Sequence, residues 1–449
     1  MLRAEGRVSA GAFELLKEKS GFREFRLLSN GLHVLLLGNR VAPVVTFALV
    51  YHVGSRNEAV GHTGSTHLLE HLMFKGTPEF DRVKGTAVAA VLEAIGARFN
   101  ATTWFDRTNY YETIPSDALE TALSIESSRM RRALLRDEDR VPEMTVVRNE
   151  FERGENSPFQ VLYKQTFATA FREHPYHHPT IGWRSDIEGV ATSRLKEFYD
   201  TFYHPNNATA LLIGDFEEAD ALAAIERHFG AIPPSPRPIP QVYTVEPPQE
   251  GERRFTVRRA GQVAWCGLSW RTVEARHADT PALAVLESIL GAGITSRLHQ
   301  ALVEKSLALS INAVAWQLHD PALFSIFAPV RPGVEPADVE AAIRQEIARV
   351  AADSVTEAEC EKARTQLEAQ IVFDRDSTDQ IAASLSEAIA VADWEWYADY
   401  PANIRSVAPA DVQRVALEYL HDDALTVGLY LPKPAGSPVD SEDGGEEPS

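Results

Sequence analysis

Along Glu24-Phe25-Arg26-Leu27-Leu28 apolar and polar residues alternate, while residues 34–37 and 44–50 run almost unbroken in apolar side chains. A period of two, or a short continuous apolar run, is the mark of a strand. Asn30-Gly31 supplies the turn between the first two strands, because both residue types tolerate the positive φ of a tight hairpin. The period then lengthens: a helix is expected at residues 67–71, and another over 86–95, stopped by Gly96. Residues 98–104 and 108–114 read as paired strands with Asp106 and Arg107 in the turn. Helical periods return over 116–133 and 138–156, and residues 208–213 form a last strand, ended at Gly214-Asp215.

Residues 232–241 then hold five prolines, at 233, 234, 236, 238 and 240. Such a run favours extended polyproline geometry and makes a semi-rigid spacer. The expected organisation is a first domain over 1–231, a Pro-rich linker over 232–250 and a second domain over 251–433. The second half echoes the first. Val91-Leu92-Glu93-Ala94-Ile95-Gly96 is similar to Val285-Leu286-Glu287-Ser288-Ile289-Leu290-Gly291, and the stretch 203–213 (YHPNNATALLI) to 419–429 (YLHDDALTVGL). A spacing near 200 residues is that of a domain duplication, since solenoid repeats run at about 20–50 residues. The fold class read from these patterns is α+β: two homologous α/β-roll domains, each a mostly antiparallel sheet packed with helices.

Composition narrows the picture. A 44% hydrophobic and 24% charged chain of 449 residues is of globular type and exceeds the size of one typical core. No run approaches 18 apolar residues, so no membrane span is expected. Residues 1–25 mix Arg, Glu and Lys without an apolar stretch, so no secretory signal is visible. A cytoplasmic protein is expected, or a periplasmic one whose signal was removed. Cys266 and Cys360 are too few and too isolated for a disulfide framework or a zinc ribbon. The net charge of −20 argues against nucleic acid, whose binding rests on Lys and Arg neutralising phosphate. Part of that charge lies in residues 434–449, which hold five acids and no apolar run and read as a disordered tail.

The chemistry concentrates in His67-Leu68-Leu69-Glu70-His71. Residues four apart on a helix lie one above the other, so the two imidazoles can aim at a common point. Zinc accepts imidazole nitrogen at about 2.0–2.1 Å and, where catalytic, keeps one position for water. Glu70 stands on the same face, placed to take that water's proton. The order H-x-x-E-H is the inverzincin signature. Two solvated helix histidines beside a glutamate would look the same, so the reading needs a third ligand. The helical stretch 143–150 offers two acids, Glu143 and Glu150, seven residues and nearly two turns apart.

With these acids the set resembles the pitrilysin/insulinase metallopeptidases, which include mitochondrial processing peptidase. The family's third ligand is a Glu about 75–80 residues beyond the second motif His, in the pattern E-x6-E; Glu150 lies 79 beyond His71. The likeness extends through residues 51–56 (YHVGSR), 64–77 (GSTHLLEHLMFKGT), 96–111 (GARFNATTWFDRTNYY), 205–216 (PNNATALLIGDF) and, more loosely, 291–298 (GAGITSRL). The resemblance implies one Zn2+ per chain held by His67, His71 and Glu150, with Glu70 as general base and Glu143 assisting from behind the ligands. It implies a zinc endopeptidase acting on peptides or unfolded segments. Substrate is expected as an added strand at residues 99–102, so Asn100 and Ala101 are the candidate contacts.

One departure bears on assembly. Family members carry an Arg and a Tyr seven apart in the other half, after a stretch resembling S-R-L. Here Ser296-Arg297-Leu298 is followed by Val303-Glu304, and the Tyr position falls at Ser310, or at Leu309 with one residue dropped. Val303 cannot hydrogen-bond a carbonyl, and Ser310 reaches far less than a phenol. The expected partner is therefore a related subunit supplying the Arg/Tyr pair in a heterodimeric clamshell, with a homodimer as the alternative. Rival readings are a non-catalytic scaffold subunit, whose expected mark of a decayed metal motif is absent, and a zinc hydrolase of small molecules. His174-Pro175-Tyr176-His177-His178-Pro179 looks metal-like, but its prolines assign it to a loop with a solvated or packing role. Glu152 and Glu155 read as a solvated helix face.

Overall fold

The computed structural model describes residues 9–433, so the acidic tail expected over 434–449 lies outside the described residues. Eight strands form the first sheet: β1 (Ser9–Ala10), β2 (Phe13–Lys19), β3 (Phe22–Leu27), β4 (His33–Gly38), β5 (Val44–Tyr51), β6 (Arg98–Thr103), β7 (Thr108–Pro115) and β8 (Ala208–Gly214). Their spatial order is β1-β2-β3-β4-β8-β5-β7-β6. Strand β8 lies in the middle of the sheet and every one of its residues is buried, which is why its sequence is apolar at all positions but Thr209 and does not alternate. Strand β2 escapes the periodicity reading because FELLKEK is only half apolar; its hairpin with β3 turns on Ser20-Gly21, both at positive φ.

The second sheet contains β9 (Arg253–Ala260), β10 (Trp265–Arg271), β11 (Asn312–Ala315), β12 (Leu323–Pro329) and β13 (Leu425–Lys433), in the order β11-β12-β10-β13-β9. Read from the other edge it repeats the run β4-β8-β5-β7-β6 of the first sheet. Both runs hold a single parallel pair in the same place, β4 with β8 and β9 with β13. The two halves are mixed, largely antiparallel sheets of one design, each packed with helices.

The first half carries α1 (Ser65–Leu72), α2 (Val88–Ala94), α3 (Leu119–Arg132), α4 (Asp137–Glu155), α5 (Pro158–Ala170), α6 (Arg184–Gly189), α7 (Thr192–Phe202) and α8 (Glu218–Phe229). The second carries α9 (Thr280–Gly291), α10 (Pro336–Asp353), α11 (Glu357–Phe373), α12 (Thr378–Val391), α13 (Trp394–Ser406) and α14 (Pro409–Tyr419). Neighbours fix the equivalence: α1 packs on α4, α7 and β6, while α9 packs on α11, α14 and β11. The echo between 91–96 and 285–291 therefore joined unlike helices, α2 and α9. The counterpart of α9 is α1, the helix that carries the histidines.

Two helices are exchanged between the halves. Helix α12 covers the open face of the first sheet, setting Ile381, Leu385 and Ile389 against Leu35, Val50 and Leu211. Helix α5 does the same for the second sheet, where Val161 and Leu162 meet Phe327 and Tyr430. Gly428 permits that approach, because a Cβ there would lie 2.9 Å from Leu162 Cδ1 and 2.2 Å from Phe255. Each sheet is thus sealed on one side by the other half of the chain.

Candidate metal centre

Helix α1 is short, and its buried face is Leu68, Leu69 and Leu72 in the first core. That packing leaves His67 and His71 on the side facing α4. There His67 Nε2 and His71 Nε2 are 3.3 Å apart. Glu150 Oε2 lies 3.7 Å from the first and 3.8 Å from the second. A tetrahedral zinc with ligands at about 2.0–2.2 Å needs ligand atoms roughly 3.3–3.6 Å from one another, so the triangle has the size and the donor set of such a site. On α4 the buried side chain of Val147 sits midway between Glu143 and Glu150 and pins the helix to the core, so both acids face α1.

Glu143 accepts from His71 Nδ1 at 3.0 Å and from the ammonium of Lys75. Its burial is outweighed by these two donors, which hold the carboxyl below its ordinary value. An ionised carboxylate only accepts, so Nδ1 carries the proton and the Nε2 lone pair of His71 is left facing the common point. At His71 burial is outweighed by the Glu143 hydrogen bond and the charges of Glu70 and Glu150, which raise its pKa. His67, by contrast, is pushed down to about 3 by burial and by His71, so it is a neutral donor at pH 7. Its Nδ1 is buried without a hydrogen-bond partner among the described residues. Carboxylates outnumber nearby cations, which favours a bound cation at the point where the three ligand atoms converge.

Glu70 is buried, and its Oε2 accepts from Thr103 Oγ1 at 2.6 Å. Burial raises its carboxyl above the usual range, against the pull of Thr103 and His71. Thr103 and Lys75 were not singled out from sequence. Lys75 lies past the end of α1 at Leu72 and Thr103 ends an edge strand, so neither carries a local signal.

The remaining predicted residues divide. Asn100 is exposed on β6, whose outer edge pairs with no strand among the described residues. Ala101 turns its side chain into the core at 6% exposure, so only its backbone can face a ligand. Glu152 is exposed, whereas Glu155 is half-buried and bound to Lys164 and Arg259, so its reading as a solvated face is corrected. His174 and His178 are buried, and His174 Nε2 lies 3.1 Å from Asp320 of the other half. Arg56 joins that cluster through Asp106 and Asp320, so the proline-rich loop is a seam between the halves. A cavity of about 450 Å³ adjoins Glu150, walled by Trp104, Phe151, Tyr163 and Ile181.

Residues 33–183 match the family described as insulinase (peptidase family M16), and residues 190–367 match the peptidase M16 inactive domain. The chain is 30% identical over 411 residues to the zinc protease PqqE of Helicobacter pylori, covering 90% of this chain and 92% of that one. This chain belongs to peptidase family M16. A crystal structure of a Helicobacter pylori protease superposes with a TM-score of 0.86 at 29% identity, over 90% of this chain and 98% of that one. The M16 relatives also include a probable mitochondrial-processing peptidase subunit beta of Arabidopsis thaliana, 25% identical over 90% of this chain and 77% of that one.

The second half of this M16 chain repeats the architecture of the candidate centre without its donors. Ser157 and Ser377 cap α5 and α12 in the same way, each accepting from the N–H three residues on. Placing them in register sets Gln370 opposite Glu150 in sequence. Glu287 of α9 accepts from the N–H of Ala315, the last residue of β11, much as Glu70 accepts from Thr103, the last residue of β6. With Glu287 matched to Glu70, Ala284 and Ser288 stand where His67 and His71 do. A methyl, a hydroxyl and a carboxamide thus stand where the three candidate ligands do in the first half. Arg297 is bound to Glu359 at 2.7 and 3.0 Å, and Val303 and Ser310 offer no substitute for the Arg/Tyr pair.

Proposed function

We propose that this chain is a zinc-dependent endopeptidase, with His67, His71 and Glu150 as ligands. The observation that carries the reading is the convergence of two Nε2 atoms and a carboxylate oxygen, with Glu70 on the same helix turn. Zinc, when bound, lowers the pKa of a water toward 7 and polarises the scissile carbonyl. Glu70 then does the proton work: it accepts a proton from the water and returns it to the leaving amine, and burial, which raises its carboxyl, makes it the stronger base. Thr103 fixes one of its oxygens and leaves the other for the proton. Glu143 fixes the tautomer of His71. The open edge of β6 supports binding of an extended peptide at Asn100 and Ala101 through main-chain hydrogen bonds. The cavity beside Glu150 would receive a substrate side chain, and its aromatic wall favours an apolar one.

The missing Arg/Tyr pair favours a dimeric clamshell in which a related subunit stabilises the substrate. Zinc content and peptide hydrolysis of wild type and Glu70→Gln, alone and with a related subunit, test both parts. Bound zinc in each protein and a loss of at least ~10²-fold in the variant is the expected result. Zinc-loaded wild type inert toward peptides in both settings would sink the peptidase reading. Strong activity from the purified chain alone would sink the heterodimer.

A further inference from the structure

Helix α1 poses a problem of anchorage. His67 is its third residue, so one candidate ligand stands in the first turn, where a short helix frays. The first hydrogen bond within the helix is Leu68 N–H to the carbonyl of Gly64, and the N–H groups before it need partners from elsewhere. The capping position is Gly64, which has no side chain to offer. It cannot be Ser, Asp or Asn, because its φ is +83° and a Cβ would lie 2.6 Å from the carbonyl oxygen of Ile181.

Glu58 fills the gap from outside the helix. Its Oε2 accepts from Gly64 N–H at 2.8 Å and its Oε1 from Thr66 N–H at 2.7 Å. The side chain is fully buried, and the nearest basic group is His178 Nδ1 at 3.7 Å from the seam loop. Burial pushes the Glu58 carboxyl up to about 8 against the pull of the Thr66 and Gly64 donors, and in either protonation state both oxygens keep lone pairs for the two N–H groups. We propose that Glu58 is a positioning residue: by clamping the N–H groups on either side of Ser65, it fixes the first turn of α1 and with it the imidazole of His67. Glu58 touches none of the reacting groups. Its effect passes through the backbone at Thr66 to His67, and it acts less on His71, one turn further into the helix.

This inference rests on the reading of His67 as a ligand, and the test separates the two. Glu58→Gln leaves one amide NH2 facing a backbone N–H, so the clamp opens while size is kept. Its zinc Kd, by chelator competition, should rise 10–100-fold, the range for residues that orient ligands. The kcat should fall with KM within about twofold. Glu246→Gln is the matched control: Glu246 is buried and accepts from the N–H groups of Arg172, Glu173 and His174, so it should lower Tm and leave zinc affinity unchanged. A Glu58→Gln zinc Kd no higher than that of Glu246→Gln would overturn the proposal. Should Glu58→Gln not fold, hydrogen exchange of wild-type residues 63–68 decides: protection equal to that of the core supports the clamp, and fast exchange overturns it. Wild type that binds no zinc would sink the peptidase reading, and exchange would then judge the clamp alone.

Discussion

Glu143 and Glu150 differ by two helix turns and by everything around them. Glu143 is buried between His71 and Lys75, whereas Glu150 presents its Oε2 to both imidazoles. Glu150→Gln should therefore release zinc far more readily than Glu143→Gln, measured as zinc retained after dialysis against a weak chelator; equal loss would reverse the assignment. Thr103→Val removes the donor that orients Glu70 and should lower kcat on the order of tenfold at unchanged zinc content. These side chains were unequally visible in the sequence. The spacing of His67, Glu70 and His71 is set by one helix turn and could be read directly. Glu150 needed the resemblance to a family, because no local pattern says which distant helix will face α1. Thr103 and Glu58 were not legible at all, since each acts across a tertiary contact that alternation and spacing do not encode.

Among elements, α9 is the informative one. Its Glu287 is half-enclosed with no basic partner among the described residues, and burial pushes its carboxyl up to about 7 against the pull of the Ala315 N–H. In the unfolded chain the group titrates near its ordinary 4.5. Between these values the folded protein holds more protons than the unfolded one, so stability is full below about pH 4.5 and falls as pH rises toward 7. The expected penalty above pH 7 is about 3 kcal/mol. Glu287→Gln keeps an acceptor for Ala315 and removes the charge, so it should stabilise the protein at pH 8 and change little at pH 4.5, as read by urea unfolding at the two values. The duplication itself was visible through the matching ends of β8 and β13. Its register at α9 was not, because a leucine-rich helix matches almost any other by composition, and α2 happened to share its ending with α9.

At the scale of the molecule, the exchange of α5 and α12 makes the halves interdependent. Sequence periodicity shows that each helix has an apolar stripe and cannot say which sheet that stripe will cover. A protein cut within 231–252 should therefore not yield two independent domains, although this stretch holds no helix or strand. The first fragment would expose Leu35, Val50 and Leu211, which α12 now covers, and Arg107 would lose Glu387 of the same helix. We expect the first fragment alone to aggregate or bind a hydrophobic dye, and co-expression with the second to restore a soluble pair. A soluble, dye-silent first fragment would show that α12 is dispensable.

The same exchange sets a timetable for synthesis. The last strand of the first sheet ends at Gly214, but the helix that seals its outer face ends at Val391. At about 5–20 residues per second, a ribosome needs roughly 10–35 s to supply the roughly 180 residues between them. Throughout that interval a nearly complete sheet carries an uncovered apolar face beside the exit tunnel. Its soluble yield should therefore depend on how fast the second half is translated, which slowing codons placed after residue 214 would check.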